Sequence, residues 1–353
     1  MTLAAAFAWA LAGLTAVCSL IALSIGSRRI FRERRERRVE RLVGPLRSTV
    51  YDLVSGEPHE IAAAVAALRG VDDATWEPLQ DLLIELFGKL RGEALAPVRR
   101  LLDERRVVER AQRNLTSRSA VSRARAAYLL GLVQHRESRP ALERLLADRD
   151  PDVRIVACRA LGQLGDPASA PALLGALSPA RPVPAGVVGD ALLGLGAGAE
   201  PALQAALTAR DANTREVAVD TGGLGGLVGI VPAVRHLLAT DPQPDIRARA
   251  AVALGRLGSA AALPELIDAT SAAQPAAVRL AAAEALGLIG DLDALVPLTS
   301  LLDAHDLLAD AAARALVELG PSGLAALREH AEPNRPSAAA GALAMASLRA
   351  VVR

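Results

Sequence analysis

Six prolines set a clock. Each opens an apolar segment: "PALERLL" from Pro140, "PALLGAL" from Pro171, "PALQAAL" from Pro201, "PAVRHLL" from Pro232, "PELIDAT" from Pro264 and "PLTSLLD" from Pro297. The intervals between successive prolines are nearly equal. Two further landmarks keep phase with them. "ALGQLG" (160–165) returns as "ALGRLG" (253–258) and "ALGLIG" (285–290), with looser copies in "YLLGLV" (128–133), "LLGLGA" (192–197) and "ALVELG" (315–320). "DPDVR" (150–154) returns as "NTREV" (213–217), "PDIR" (244–247) and "AAVR" (276–279). A period of about 31 residues means that one supersecondary unit is copied and stacked, each copy burying its apolar face only against its neighbours.

Each landmark has a physical cause. Proline is tolerated where a helix begins, because its missing N–H has no partner there anyway. Leucines three and four residues on make one apolar stripe. A turn Asp such as Asp150 caps the helix after it, and the closing glycine supplies a left-handed C-terminal turn. Alanines in "VRIVACRALGQLG" suit a helix that must approach its neighbour closely. A helix of about ten residues, a turn and a helix of about thirteen fill the period. Composition agrees: the chain is 52% hydrophobic but only 2% aromatic, a content suited to closely spaced helix pairs rather than wide cores filled by rings. The expected class is all-α.

Three in-phase landmarks resemble the HEAT repeat family, in particular its short bacterial form, the phycobilisome-lyase-type HEAT-like repeat. The resemblance covers roughly residues 118–331, six to seven repeats. It implies an α-solenoid over 118–353, with "RPSAAAGALAMASLRAVVR" (335–353) as a C-terminal cap. Residues 45–117 are expected to be a divergent helical cap or degenerate repeats, with 96–115 as one helix after Pro97. Second helices line the concave face in this family, which makes Arg123, Arg154, Arg215, Arg247 and Arg279, recurring almost in register, candidate partner-binding residues. The alternative is that each arginine pairs with a turn Asp as part of the scaffold.

The amino-terminal stretch carries a different expectation. Residues 2–26 hold no charge, enough for a helix across a hydrocarbon core of roughly 30 Å. Arg28, Arg29, Arg32, Arg34, Arg35, Arg37, Arg38 and Arg41 follow against three glutamates, a local balance of +5. No basic residue precedes the run, so a cleaved signal does not fit. Cys18 is not a lipobox cysteine, since Thr15 stands where Leu is expected. The expectation is therefore a transmembrane signal-anchor over 1–27 and a basic juxtamembrane helix over 28–44. The arginines would keep the solenoid in the cytoplasm with the amino terminus outside, and would meet anionic lipid headgroups. A second basic stretch, Arg99 to Arg125, has a balance of +6, leaving −10 for the rest of a chain whose net charge is +1.

Chemistry is sparse. None of the five histidines is paired at ligand spacing, and His59-Glu60 is the only His-Glu dipeptide. The deoxyhypusine hydroxylases of this fold bind iron through several such pairs, so that activity is not expected here. "TGGLGGLVG" (221–229) lacks a phosphate loop's Gly-Lys-Ser/Thr ending and sits in phase with "ALGQLG". It is expected to be a kinked, hinged or frayed second helix, because each glycine weakens a helix by about 0.5–1 kcal/mol. A DNA-binding solenoid needs aromatics to hold an exposed base, and here Tyr128 is the only one after Phe87. No catalytic residue, cofactor, metal, nucleic acid or small-molecule substrate is expected. The functional expectation is a membrane-tethered scaffold for a membrane-associated protein partner, such as an accessory subunit of a polysaccharide glycosyltransferase. The alternative is a lyase-type chromophore chaperone or other enzyme subunit.

Overall fold

The computed structural model describes residues 40–87, 95–304, 307–331 and 338–352. These are helical throughout, with no strand among them. They belong to two compact units, one ending at Val108 and the other beginning at Glu109.

The first unit contains α1 (Arg47–Ser55), α2 (Pro58–Arg69), α3 (Asp73–Phe87) and α4 (Leu95–Glu104). Leu53, Leu68, Leu79, Leu83, Leu101 and Leu102 fill its core. The arginine-rich stretch after Pro97 is not one helix. It breaks at Arg106, whose φ is 52°, before α5 (Val107–Asn114). Arg105 explains the break. Its guanidinium stacks on Trp76, 4.6 Å from the ring centroid, and donates to the carbonyls of Leu68, Arg69 and Val71 where α2 ends. A cation–π contact plus three carbonyl acceptors outweigh continuing the helix.

The second unit is two layers of helices. One layer is a series of long helices, α6 (Ala120–Leu132), α8 (Pro151–Leu164), α10 (Ala185–Gly194), α12 (Ala212–Leu224), α14 (Pro244–Leu257), α16 (Ala276–Ile289) and α18 (Leu307–Glu318). Each packs on the one before. The other layer is shorter: α7 (Arg139–Leu145), α9 (Ala170–Gly175), α11 (Glu200–Ala206), α13 (Val231–Thr240), α15 (Leu263–Ala269) and α17 (Leu295–Ser300). A 3-10 turn precedes each of these, so the repeated proline lies within the first three helical residues rather than strictly at the first. At the end, α19 (Pro321–His330) and α20 (Ala338–Val352) pack on each other and on α18.

Close approach between long helices is built from a glycine facing an alanine. A Cβ on Gly131, Gly162, Gly255 or Gly287 would stand 2.5–2.7 Å from the Cα of Ala160, Ala191, Ala285 or Ala315. Gly223 faces Ala253 in the same way. The helix expected to kink, hinge or fray at 221–229 shows no kink within its helical residues. It runs unbroken through Gly222 and Gly223 to Leu224, because those glycines are contact positions, against Ile230 and Ala253. The left-handed C-terminal turn recurs at Gly165, Gly258 and Gly290. In the first repeat Gln134 takes the corresponding place, with φ 54°.

The membrane placement is corrected. The segment 1–27 and the residues Arg28, Arg29, Arg32, Arg34, Arg35, Arg37 and Arg38 lie outside the described residues, and Arg41 is described and exposed. Among the described residues no helix is long and apolar enough to cross a membrane. The longest have 15 residues, where a span needs about 20. The single-pass localisation, with the amino terminus outside and the solenoid in the cytoplasm, is overturned on that finding.

Candidate functional site

The five in-register arginines lie where each turn enters a long helix, and their donors point inward. Arg123 grips Asp148 with a two-pronged fork, Nε to Oδ2 at 2.8 Å and Nη2 to Oδ1 at 2.7 Å. Its Nη1 donates to the carbonyls of Ser117 and Arg118. Arg215 repeats the arrangement on Asp241, at 2.7 and 3.2 Å, and on the carbonyls of Ala209 and Arg210. Both pairs are buried, with side-chain exposures of 7% and 9% in the first and 10% and 1% in the second.

The turn aspartate serves two repeats. Its carboxylate takes the arginine of the preceding long helix, and its backbone carbonyl takes the next one: Arg154 Nη1 to Asp148 O at 3.0 Å, Arg247 Nη1 to Asp241 O at 2.7 Å. Where the following turn has no aspartate, the fork grips no carboxylate. Nε of Arg154 and Nε of Arg247 are buried without a partner. Arg279 donates through Nε to the carbonyl of Thr270 at 3.1 Å. Burial pushes the Asp148 carboxyl upward, but hydrogen bonds from Arg123 and from the Asp150 N–H outweigh it and leave the group below its ordinary value. Geometrically these arginines are clamps on the turns between short and long helices. Arg123 and Arg154 are buried, Arg215 likewise, and Arg247 and Arg279 are half-buried.

What the long helices present to solvent is a different set. One residue per helix, near its middle, forms a row: Tyr128, Arg159, Asp190, Asp220, Val252, Glu284 and Arg314. All but the half-buried Asp220 and Val252 are exposed. Ion pairs cross from helix to helix along it. Arg249 bridges Glu216 at 2.8 Å and Asp220 at 2.5 Å, and Arg314 reaches Glu284 at 3.4 Å. The sequence carries a signal for this row, five positions after each clamp arginine, but its mixed residue types hide it behind the more regular arginine series.

Among the described residues there is no cluster of His, Cys, Asp and Glu that could hold a metal ion. Cys158 is buried against the carbonyl of Val187, and burial pushes its thiol up to about 12. A thiol so far from thiolate at neutral pH is no nucleophile.

The family of HEAT repeats matches over residues 109–192, 199–274 and 231–317, more than half of the chain, and the protein belongs to that family. No curated protein matches the chain. Among solved structures, Kap121p bound to Nup53p aligns at TM-score 0.52 and 14% identity, covering 81% of this chain and 38% of that one. Human deoxyhypusine hydroxylase in complex with glycerol aligns at TM-score 0.31 and 20% identity, covering 78% and 96%. The complex of CpcE and CpcF of phycocyanin lyase from Nostoc aligns at TM-score 0.32 and 23% identity, covering 68% and 93%. The likeness to Kap121p is one of fold.

Proposed function

We propose that the protein is a non-catalytic scaffold that binds a protein partner along the outward row of its long helices. One observation carries this. The row has one member in every long helix from α6 to α18, ion pairs join α12 to α14 and α16 to α18 along it, and among the described residues no group of His, Cys, Asp and Glu could hold a metal ion. Extended surfaces of this kind take proteins or peptides rather than small substrates. The arginines Arg123, Arg154, Arg215, Arg247 and Arg279 enter as the clamps that hold the row in register. The accessory role in a membrane glycosyltransferase rests on tethering and falls with it.

The test is site-specific photocrosslinking in cells. A benzoylphenylalanine at Arg159, on the row, should give a discrete protein adduct. The same group at Arg144, exposed on the short-helix layer, should not. Absence of any adduct from Tyr128, Arg159, Asp190 and Glu284 alike would sink the scaffold reading.

A further inference from the structure

Four exposed arginines stand outside the clamp. Arg118, Arg149, Arg181 and Arg210 each occupy the turn that leads into α6, α8, α10 or α12. In three of these turns the exposed arginine precedes the buried one by five residues: 118 and 123, 149 and 154, 210 and 215. None of the four forms an ion pair among the described residues. Two of them reach back along the stack. Arg149 Nη2 donates to the carbonyl of Arg118 at 3.3 Å, and Arg181 Nη1 to that of Ala147 at 2.5 Å. The guanidinium groups thus form a row along one edge. It stops after the fourth turn, since 240–243 and 270–275 contain no arginine.

The acidic residues of this edge are mostly committed. Asp148 is held in the fork of Arg123. Asp150 accepts from the N–H groups of Asp152 and Val153, and Asp211 from Thr214. As helix caps, these charges are largely offset by the helix N-termini beneath them. Asp152 remains exposed. The third turn, "SPARPVP" (178–184), has no acid at all. There Arg154, 9% exposed, has a buried Nε without a partner and an Nη2 that reaches only the carbonyl of Pro182, at 3.4 Å.

We propose that this edge docks an extended acidic segment of the partner protein, and that one of its carboxylates completes the fork of Arg154 where the repeat lacks its own aspartate. This rests on the scaffold reading above and names the chemistry of the partner. The loosely held Pro182 carbonyl gives way to admit the carboxylate. Packed helices stand about 8–10 Å apart and an extended chain advances about 3.3 Å per residue, so acids spaced three residues apart match successive turns. A nucleic acid fits less well. No aromatic side chain stands in these turns to stack a base.

The experiment uses the full chain and a fluorescent peptide with four glutamates, one at every third position, read by anisotropy. It should bind at least tenfold tighter than a peptide of the same composition with its glutamates bunched. The quadruple variant R118A/R149A/R181A/R210A, all at exposed positions, should lose at least tenfold. Ala180 follows Arg154 at the same separation as Asp241 follows Arg215. A180D should therefore weaken the peptide about fivefold by filling the fork from within. Equal binding of the two peptides, no effect of the quadruple variant, or tighter binding of an oligothymidylate than of the spaced peptide would overturn the proposal. Photocrosslinked adducts at Arg159 that persist while the peptide fails to bind would remove the acidic edge and leave the scaffold standing. Loss of both would remove both.

Discussion

At the scale of residues, the turn aspartates do the most. Asp241 is 1% exposed in its side chain and is held by Arg215. Truncating it leaves a buried guanidinium unpaired, a change that typically costs about 3–5 kcal/mol. Urea denaturation of Asp241→Ala should show a loss of that size, and a loss under about 1 kcal/mol would mean that solvent reaches the pair. Asp148 adds a pH dependence whose sign is set by its lowered folded value. Its contribution is complete above the unfolded carboxylate value of about 4 and fades as pH falls through the lower folded value. Asp148→Asn should therefore be less stable at neutral pH and show a shallower acid limb in a stability–pH series. Gln134 pulls the other way. It occupies a left-handed conformation, φ 54°, in a place where other repeats use glycine. Gln134→Gly should raise stability by about 0.5–1 kcal/mol, less whatever its hydrogen bond to the Gln163 carbonyl contributes. Cys158, pushed up to about 12 by burial, should react with Ellman's reagent at pH 8 only once the chain is unfolded.

At the scale of elements, the same residue type has opposite meanings. A Cβ added to Gly255 lies 2.7 Å from the Cα of Ala285, whereas one on Gly186 meets nothing within 4 Å. Gly255→Ala must force α14 and α16 apart and should cost about 1–3 kcal/mol. Gly186→Ala should stabilise by about 0.5–1 kcal/mol through helix propensity alone. Thermal unfolding of the two variants checks both signs. This contrast also marks what the sequence can tell. The proline, the capping Asp150 and the closing glycines are legible because backbone chemistry dictates them locally. The glycines of 221–229 read locally as a weak helix, whereas the closeness of Gly223 to Ala253 is set by the next repeat. The break at Arg106 is hidden for a related reason: it depends on Trp76 and on carbonyls at the end of α2, far back along the chain. The arginines are legible as a series but not in direction. A pattern of positions does not say whether a side chain turns toward the next turn's aspartate or toward solvent.

At the scale of the solenoid unit, stability should be uneven. Five long helices carry both the clamp arginine and, eight residues on, the contact glycine: Arg123 with Gly131, Arg154 with Gly162, Arg215 with Gly223, Arg247 with Gly255 and Arg279 with Gly287. In α10 the matching places hold Ala185 and Leu193, and the helix has ten residues against 12–14 for the others. The family match is interrupted at the same point, between 192 and 199. In a stack whose repeats touch only their neighbours, the thinnest joint opens first. Amide hydrogen exchange should be faster across 185–194 than across 244–257, and uniform protection along the unit would contradict this.

The shared aspartate also decides where such a chain can be cut and rejoined. Asp148 belongs by its carboxylate to the helix before it and by its carbonyl to the helix after it. Gaining or losing a repeat seats an arginine against a turn from another repeat, so such a change costs least where that turn carries an aspartate, as at Asp148 and Asp241.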